Sequence, residues 1–165
     1  MSTIQSTKVK ELVEKYQLVA HPEGGYFRET YRSDLTITSP VIDDGKNKQR
    51  NTVTQIYFLL GEGDVSRFHK VAHEEIWHFY EGAPLRLLDL DKDGCQDIQL
   101  GSESGRYHHV IKGGNYQAAE STGEYTLVGC TVAPGFDFVD FAFLSDQTED
   151  LEGLDKFLTE YKKFI

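Results

Sequence analysis

Between Gly63 and Gly82 the chain reads GDVSRFHKVAHEEIWHFYEG, which places His69, His73 and His78 and the adjacent carboxylates Glu74 and Glu75 inside ten positions. Imidazoles and carboxylates this close together are the raw material of acid–base chemistry, because a fold can bring their proton affinities near neutrality. His69 ends an incoming strand-like run and Glu75 opens an outgoing one. A hairpin is therefore expected to set the two side chains on one inner face, as neighbours across a ladder. Alternation puts Glu75, Trp77 and Phe79 on that face and Ile76, His78 and Tyr80 on the other, with His78 turned inward only if a bulge intervenes. A cluster of all these histidines is not expected, whereas His69 and Glu75 are expected as a ligand-facing pair. His21, His73, His108 and His109 are read as structural, and at most one of His108 and His109 looks inward.

A second group lies in HPEGGYFRET, His21–Thr30. Gly24-Gly25 permits a tight or positive-φ backbone, after which Arg28 and Glu29 fall on opposite faces. An inward Arg28 would clamp a carboxylate or phosphate, unless it only satisfies Glu29 or Glu23. Arg67 and Lys112 are further candidate cations at the same mouth. Glu23, Tyr26, Ser66 and His78 complete the expected ligand contacts.

The elements that must position these groups are short strands. Val9, Leu12, Val13 and Tyr16 recur at helical spacing over about residues 7–17, with Ser6 or Thr7 as N-cap. Leu151, Leu154, Leu158 and Tyr161 mark a closing helix over about 149–163, with Thr148 a candidate cap. Between them, over about 24–145, lie nine strand-like runs: Gly25–Arg32, Thr52–Leu60, Val65–Val71, Glu75–Tyr80, Leu85–Leu90, Tyr107–Lys112, Tyr116–Glu120, Tyr125–Val132 and Phe138–Leu144. Strands without intervening helices predict an antiparallel all-β barrel or sandwich in one domain, 1–165. Ser33–Arg50 is the one long loop, read as a lid, a partner contact or disorder.

Composition narrows the function classes. A net charge of −10 over 165 residues disfavours nucleic-acid and membrane-surface roles. Cys95 and Cys130 have no metal-type spacing and read as two thiols, the N-terminus does not read as a signal peptide, and no segment has the apolar length of a membrane span. A cytoplasmic location is expected. No P-loop, dinucleotide fingerprint, nucleophile elbow or paired CxxC occurs.

Gly63, His69, Val71, Glu75 and Gly82 fall at the positions of the first cupin motif, G-x5-H-x-H-x3,4-E-x6-G, with valine in place of the second histidine. Gly105, Lys112, Gly114, Gln117 and Ser121 align more faintly with the second motif, with Gln117 in place of its histidine. HPEGGYFRETYRS, the SRFHKVAHEEIWHFYEG stretch and VAPGFDFVDF resemble, over nearly the whole chain, the RmlC-like subfamily of the cupin superfamily termed DUF985. The resemblance implies a jelly-roll double-stranded β-helix barrel, paired into a homodimer. Metal-binding cupins use three histidines and a glutamate; here the resemblance leaves His69, Glu75 and Gln117 as candidate ligands for iron, manganese, nickel or zinc. Sugar-nucleotide epimerases of the same barrel instead use a histidine base oriented by an acid, with a tyrosine as proton donor. By that likeness His69 is the base, Glu75 or Asp140 its partner, and Tyr57 or Tyr26 the acid.

The expected function is that of a cupin binding a small polar metabolite, sugar-like or anionic, in the barrel. A metal-dependent enzyme, a metal-free epimerase or isomerase, and a non-catalytic binding barrel are the alternatives.

Overall fold

The computed structural model describes residues 6–43 and 47–165. Runs of β-branched and aromatic residues pair into two antiparallel sheets. The first has the spatial order β1 (Val19–Ala20), β2 (Tyr26–Arg32), β5 (Thr54–Gly61), β12 (Tyr125–Ala133), β7 (Glu74–Gly82) and β10 (His108–Ile111). The second runs β13 (Ala142–Phe143), β6 (Val65–Lys70), β11 (Tyr116–Ser121), β8 (Leu85–Asp91) and β9 (Gly94–Leu100). From β5 to β8 the chain changes sheet at every strand, as a jelly roll requires. Phe58, Leu60, Trp77 and Ile111 of one sheet meet Leu85, Leu87, Leu100 and Ala119 of the other in a buried core. The all-β barrel expected from the sequence is the fold found.

This topology corrects one expectation. His69 on β6 and Glu75 on β7 are not cross-strand neighbours, because β6 pairs with β11 and β13 while β7 pairs with β12 and β10. The connection after Lys70 arches from one sheet to the other, so the two side chains line one cavity from different sheets. The loop expected over Ser33–Arg50 also differs. It contains a hairpin of β3 (Thr36–Thr38) and β4 (Gln49–Asn51), while its residues 44–46 lie outside the described residues. The hairpin is fixed by the Ser39 hydroxyl, 2.7 Å from His73 Nε2, and by the buried Arg50–Asp140 ion pair at 2.7 Å. Residues 1–5, where the chain was read for a signal peptide, also lie outside the description.

Two helices cover the outer faces. α1 (Thr7–Tyr16) is capped by Ser6, whose hydroxyl accepts from Val9 N at 3.1 Å, and buries Val9 and Leu12 against Leu59 and Leu127. α2 (Thr148–Leu158) starts with Thr148 as its first residue, preceded by Gln147, which makes no side-chain cap. Glu149 and Asp150 in its first turn suit the helix dipole, and Leu158 is buried with Phe68, Leu88 and Leu90. Neither is long and apolar enough to cross a membrane.

The segment His21–Gly25 crosses from the first sheet to β6, where Arg67 N donates to the Glu23 carbonyl at 2.9 Å. That close approach requires glycine at Gly24, whose φ is +114° and whose β-carbon would lie 2.0 Å from the Val65 carbonyl oxygen. Gly24→Ala should cost about 2–4 kcal/mol in urea unfolding, since strain and overpacking add. Gly63→Ala, also at positive φ (+79°) but with nothing within 4 Å, should cost only about 1 kcal/mol. Equal losses would show that contact with Val65 does not set the path of this segment.

Candidate functional site

The pleat and two bulges decide which side chains enter the barrel. Glu75 and Trp77 face inward opposite Val132 and Cys130, and His78 points outward to Thr131 at 3.1 Å. The bulge in β7 follows Phe79, too late to turn His78 in. On β6 the register shifts so that Ser66 and His69, three residues apart, both face inward opposite Ala119 and Gln117. On β2 a bulge at Thr30 does the same for Glu29 and Arg32. The β7 arrangement is plain period-two alternation, and those on β6 and β2 add one inserted residue.

Glu23 is the centre of the buried network. One carboxylate oxygen accepts from Ser66 Oγ at 3.0 Å and the other lies 2.9 Å from His69 Nε2. His69 Nδ1 lies 2.7 Å from the Arg67 carbonyl oxygen, and the ring stacks on Phe141 at 5.1 Å. Both imidazole nitrogens therefore face acceptors, which only a doubly protonated ring can satisfy. Burial disfavours that charge, but the Glu23 carboxylate outweighs it and holds the His69 pKa above its ordinary value. Burial pushes Glu23 up as well; the facing imidazolium and its hydrogen bond prevail and lower it. His21 uses Nδ1 to accept from Glu23 N at 3.1 Å, and burial lowers its pKa, so it is neutral despite lying 3.6 Å from the carboxylate.

Across the barrel, Glu75 receives a short hydrogen bond from Gln117 Nε2, while Gln117 Oε1 accepts from Trp77 Nε1 at 2.6 Å. The indole thus fixes the amide with its N–H side toward Glu75. The second carboxyl oxygen has no hydrogen-bond partner among the described residues. Glu75 is 8% exposed, and burial raises its pKa to about 7, with Glu23 adding to the rise and His69 and Gln117 opposing it.

His69, Glu23 and Glu75 form the floor of a cavity of about 260 Å³. Phe27, Ile56, Val71, Cys130 and Val132 supply apolar walls, and Phe136, Phe138 and Phe141 close one side. Arg32, Glu29 and Asp137 stand at its exposed rim. The aromatic side is held by Phe136 N donating to Thr54 Oγ1 at 2.9 Å and by Asp137 capping the turn Phe138–Asp140. Cys95 and Cys130 are both free, and burial pushes the Cys130 thiol well above its usual pKa.

The expected site residues divide clearly. His69, Glu75, Gln117, Glu23 and Ser66 come together. Arg28 lies on the outer face of β2, opposite Tyr57, and bonds Gln17; the clamp expected there is thus turned away from the cavity by the pleat. Tyr57 and Tyr26 pack beside α1 on that same outer face. Asp140 is engaged by Arg50 rather than His69. Lys112 is exposed beyond β10, and His109, the inward member of its pair, meets Asp89 at 3.0 Å. Arg32 was not singled out from the sequence, because plain alternation hides a residue placed by a bulge. Glu23 was noted without its bond to His69, for it sits in a turn with no periodicity.

The donor set does not fit a resident divalent metal. Both nitrogens of His69 and the Gln117 oxygen are already committed, Val71 offers no donor, and of these candidate ligands Glu75 alone keeps an oxygen without a partner among the described residues. Among the described residues no group of three or more His, Cys, Asp or Glu is placed to hold an ion.

Residues 10–144 match the family model described as Cupin superfamily (DUF985). The chain is 31% identical over 157 residues to the uncharacterized protein YML079W of Saccharomyces cerevisiae, covering 87% of this chain and 78% of the yeast protein. A hypothetical protein from Leishmania major superposes with a TM-score of 0.81 at 27% identity, covering 94% of this chain and 97% of that one. A Shewanella oneidensis protein superposes with a TM-score of 0.78 at 29% identity, covering 94% and 95%. The chain belongs to the DUF985 family of the cupin superfamily.

Proposed function

We propose that the barrel binds a small polar metabolite and catalyses a metal-free proton transfer of the isomerase type, with Glu75 as the group that takes and returns the proton. The observation that carries this reading is a buried carboxyl with a pKa of about 7, one oxygen of which is left to a metabolite-sized cavity. Near neutrality such a group exists in both forms. As carboxylate it accepts a proton from a C–H or O–H of the ligand; as acid it returns that proton to a neighbouring position on the same face. The electron pair left on the ligand reforms a bond there, so no oxidant or reductant is consumed.

His69 differs here from the base expected by likeness to epimerases. With both nitrogens donating, it has no lone pair to offer, and its role is electrostatic. The imidazolium favours the ionised form of Glu75 and any negative charge that develops beside it. Glu23 keeps that imidazolium charged, and Gln117 and Trp77 orient the Glu75 carboxyl.

Solvent deuterium should exchange into a small carbonyl-bearing substrate, and Glu75→Gln should reduce the exchange by about 10²–10⁴-fold. Undiminished exchange in Glu75→Gln would remove Glu75 from this role. Activity should survive exhaustive chelation; loss that only iron, manganese, nickel or zinc restores would overturn the metal-free reading.

In wild type, kcat/KM should rise with pH through about 7 as Glu75 ionises. His69→Gln removes the cation that favours the carboxylate, so the rising limb should move to higher pH. An unmoved limb would mean that His69 does not act on Glu75.

The same shift affects stability. The folded state binds the Glu75 proton more tightly than the unfolded chain, so this stabilisation is complete below about pH 4.5 and lost on rising through about 7. Between these limits wild type should lose up to ~3 kcal/mol relative to Glu75→Gln, measured by urea unfolding at each pH. Parallel pH profiles of the two proteins would contradict the elevated pKa.

A further inference from the structure

The cations among the described residues that line the cavity are already matched. Arg32 donates from Nε and Nη2 to both oxygens of Glu29 at 2.8 and 2.7 Å, and from Nη1 to Asn51 Oδ1 at 2.8 Å and the Phe136 carbonyl at 3.0 Å. His69 is paired with Glu23, and His21 is neutral. Asp137 makes no ion pair among the described residues, and Glu75 has none of its own beyond the His69 that Glu23 already holds. The remaining cations expected from the sequence are elsewhere: Arg28 is on the outer face, Lys112 is exposed beyond β10, and Arg67 lies over the Phe143 ring with its centre 4.3 Å from the ring centroid. Among the described residues that line the cavity, an incoming anion would find no unpaired positive group and would meet carboxylates at both rim and floor.

The walls point the opposite way. Phe136 and Phe138 meet at 4.8 Å and 82°, Phe138 and Phe141 at 6.1 Å and 59°, and His21 and Phe27 at 4.5 Å and 76°. Rings at such steep angles wall a space on several sides. A sugar ring stacks on one flat platform, whereas an organic cation gains from π density on several sides at once, and carboxylates nearby reinforce it.

We propose that the ligand carries an amine or quaternary ammonium group, held among Phe27, Phe136, Phe138 and Phe141 with the Asp137 carboxylate at the rim. This rests on the reading of the cavity as the metabolite site and fixes the charge class of that metabolite. The ammonium group occupies the aromatic side, and the rest of the ligand extends toward Glu75.

The test uses two probes of equal shape, choline and its uncharged carbon isostere 3,3-dimethylbutan-1-ol, titrated into the full-length protein by calorimetry and saturation-transfer NMR. Choline should bind at least about tenfold more tightly. Phe138→Leu, at a ring that is 52% exposed, should weaken choline by about fivefold or more and leave the isostere within about twofold. Asp137→Asn, which keeps a side-chain oxygen for the cap, should likewise affect only choline. Equal binding of the isostere, tighter binding of acetate or of glucose, or no binding of choline at about 10 mM would each overturn the proposal. The readout is binding alone, so the two readings fail separately. A protein that prefers choline but exchanges no protons would sink the proton-transfer reading and leave this one; efficient exchange on an uncharged substrate with no preference for choline would do the reverse.

Discussion

The Glu23–His69 ion pair lies where the His21–Gly25 segment meets β6, at the floor of an apolar barrel, and the cost of charge in that position governs what surrounds it. Desolvating two ions is unfavourable, and their attraction compensates only when the remaining lone pairs and protons are also bonded. Ser66 and the Arg67 carbonyl satisfy that condition on the β6 side. Removing either ion would leave the other buried alone, at a cost of about 3–5 kcal/mol. The pair therefore ties the position of the turn to the position of the strand, and the glycine that lets the turn approach β6 belongs to the same device.

Glu75 gains its unusual proton affinity from this arrangement without being a member of it. It is buried among apolar neighbours, sees the Glu23 charge at longer range, and is offset only in part by His69 and by the Gln117 amide. The fold thus treats two carboxyls oppositely. One is ionised as the partner of an imidazolium, and the other is held near neutrality by isolation. Separating the proton affinities of two like groups within one cavity is a recurring way of preparing one of them for proton transfer.

Much of this was legible in the sequence where periodicity governed it. Glu75, Trp77 and Phe79 face inward and Ile76 and His78 outward, as simple alternation predicts. His69 and Glu75 line one cavity from two sheets and not as neighbours along a ladder, because a short connection reads alike as a hairpin or as an arch. β9 was not recognised: GCQDIQL exposes Gln96, Asp97 and Gln99 and buries only Ile98 and Leu100, so its composition is too polar for a propensity-based reading. The β3–β4 hairpin was hidden for the same reason. Its stability comes from Ser39–His73 and Arg50–Asp140, which join residues 34 and 90 positions apart. Arg28 and Arg32 show the limit most plainly, since a single inserted residue makes the second, not the first, the cation at the cavity rim.

That inserted residue has a consequence for how such a barrel diversifies. At Thr30 and again in β6, backbone length and not side-chain identity determines what the interior sees, so each bulge acts as a frame marker for the residues after it. Deleting Thr30 would restore plain alternation yet leave Glu29 and Arg32 inward and Tyr31 outward; only the same residues paired without the bulge would turn Tyr31 toward the ligand and Arg32 toward solvent. A bulge gained or lost by a shift of pairing can thus exchange the chemistry at the cavity entrance while the hydrophobic core, which lies on strands in register, keeps its composition. In this architecture a slip of pairing changes the chemistry of the interior without any substitution.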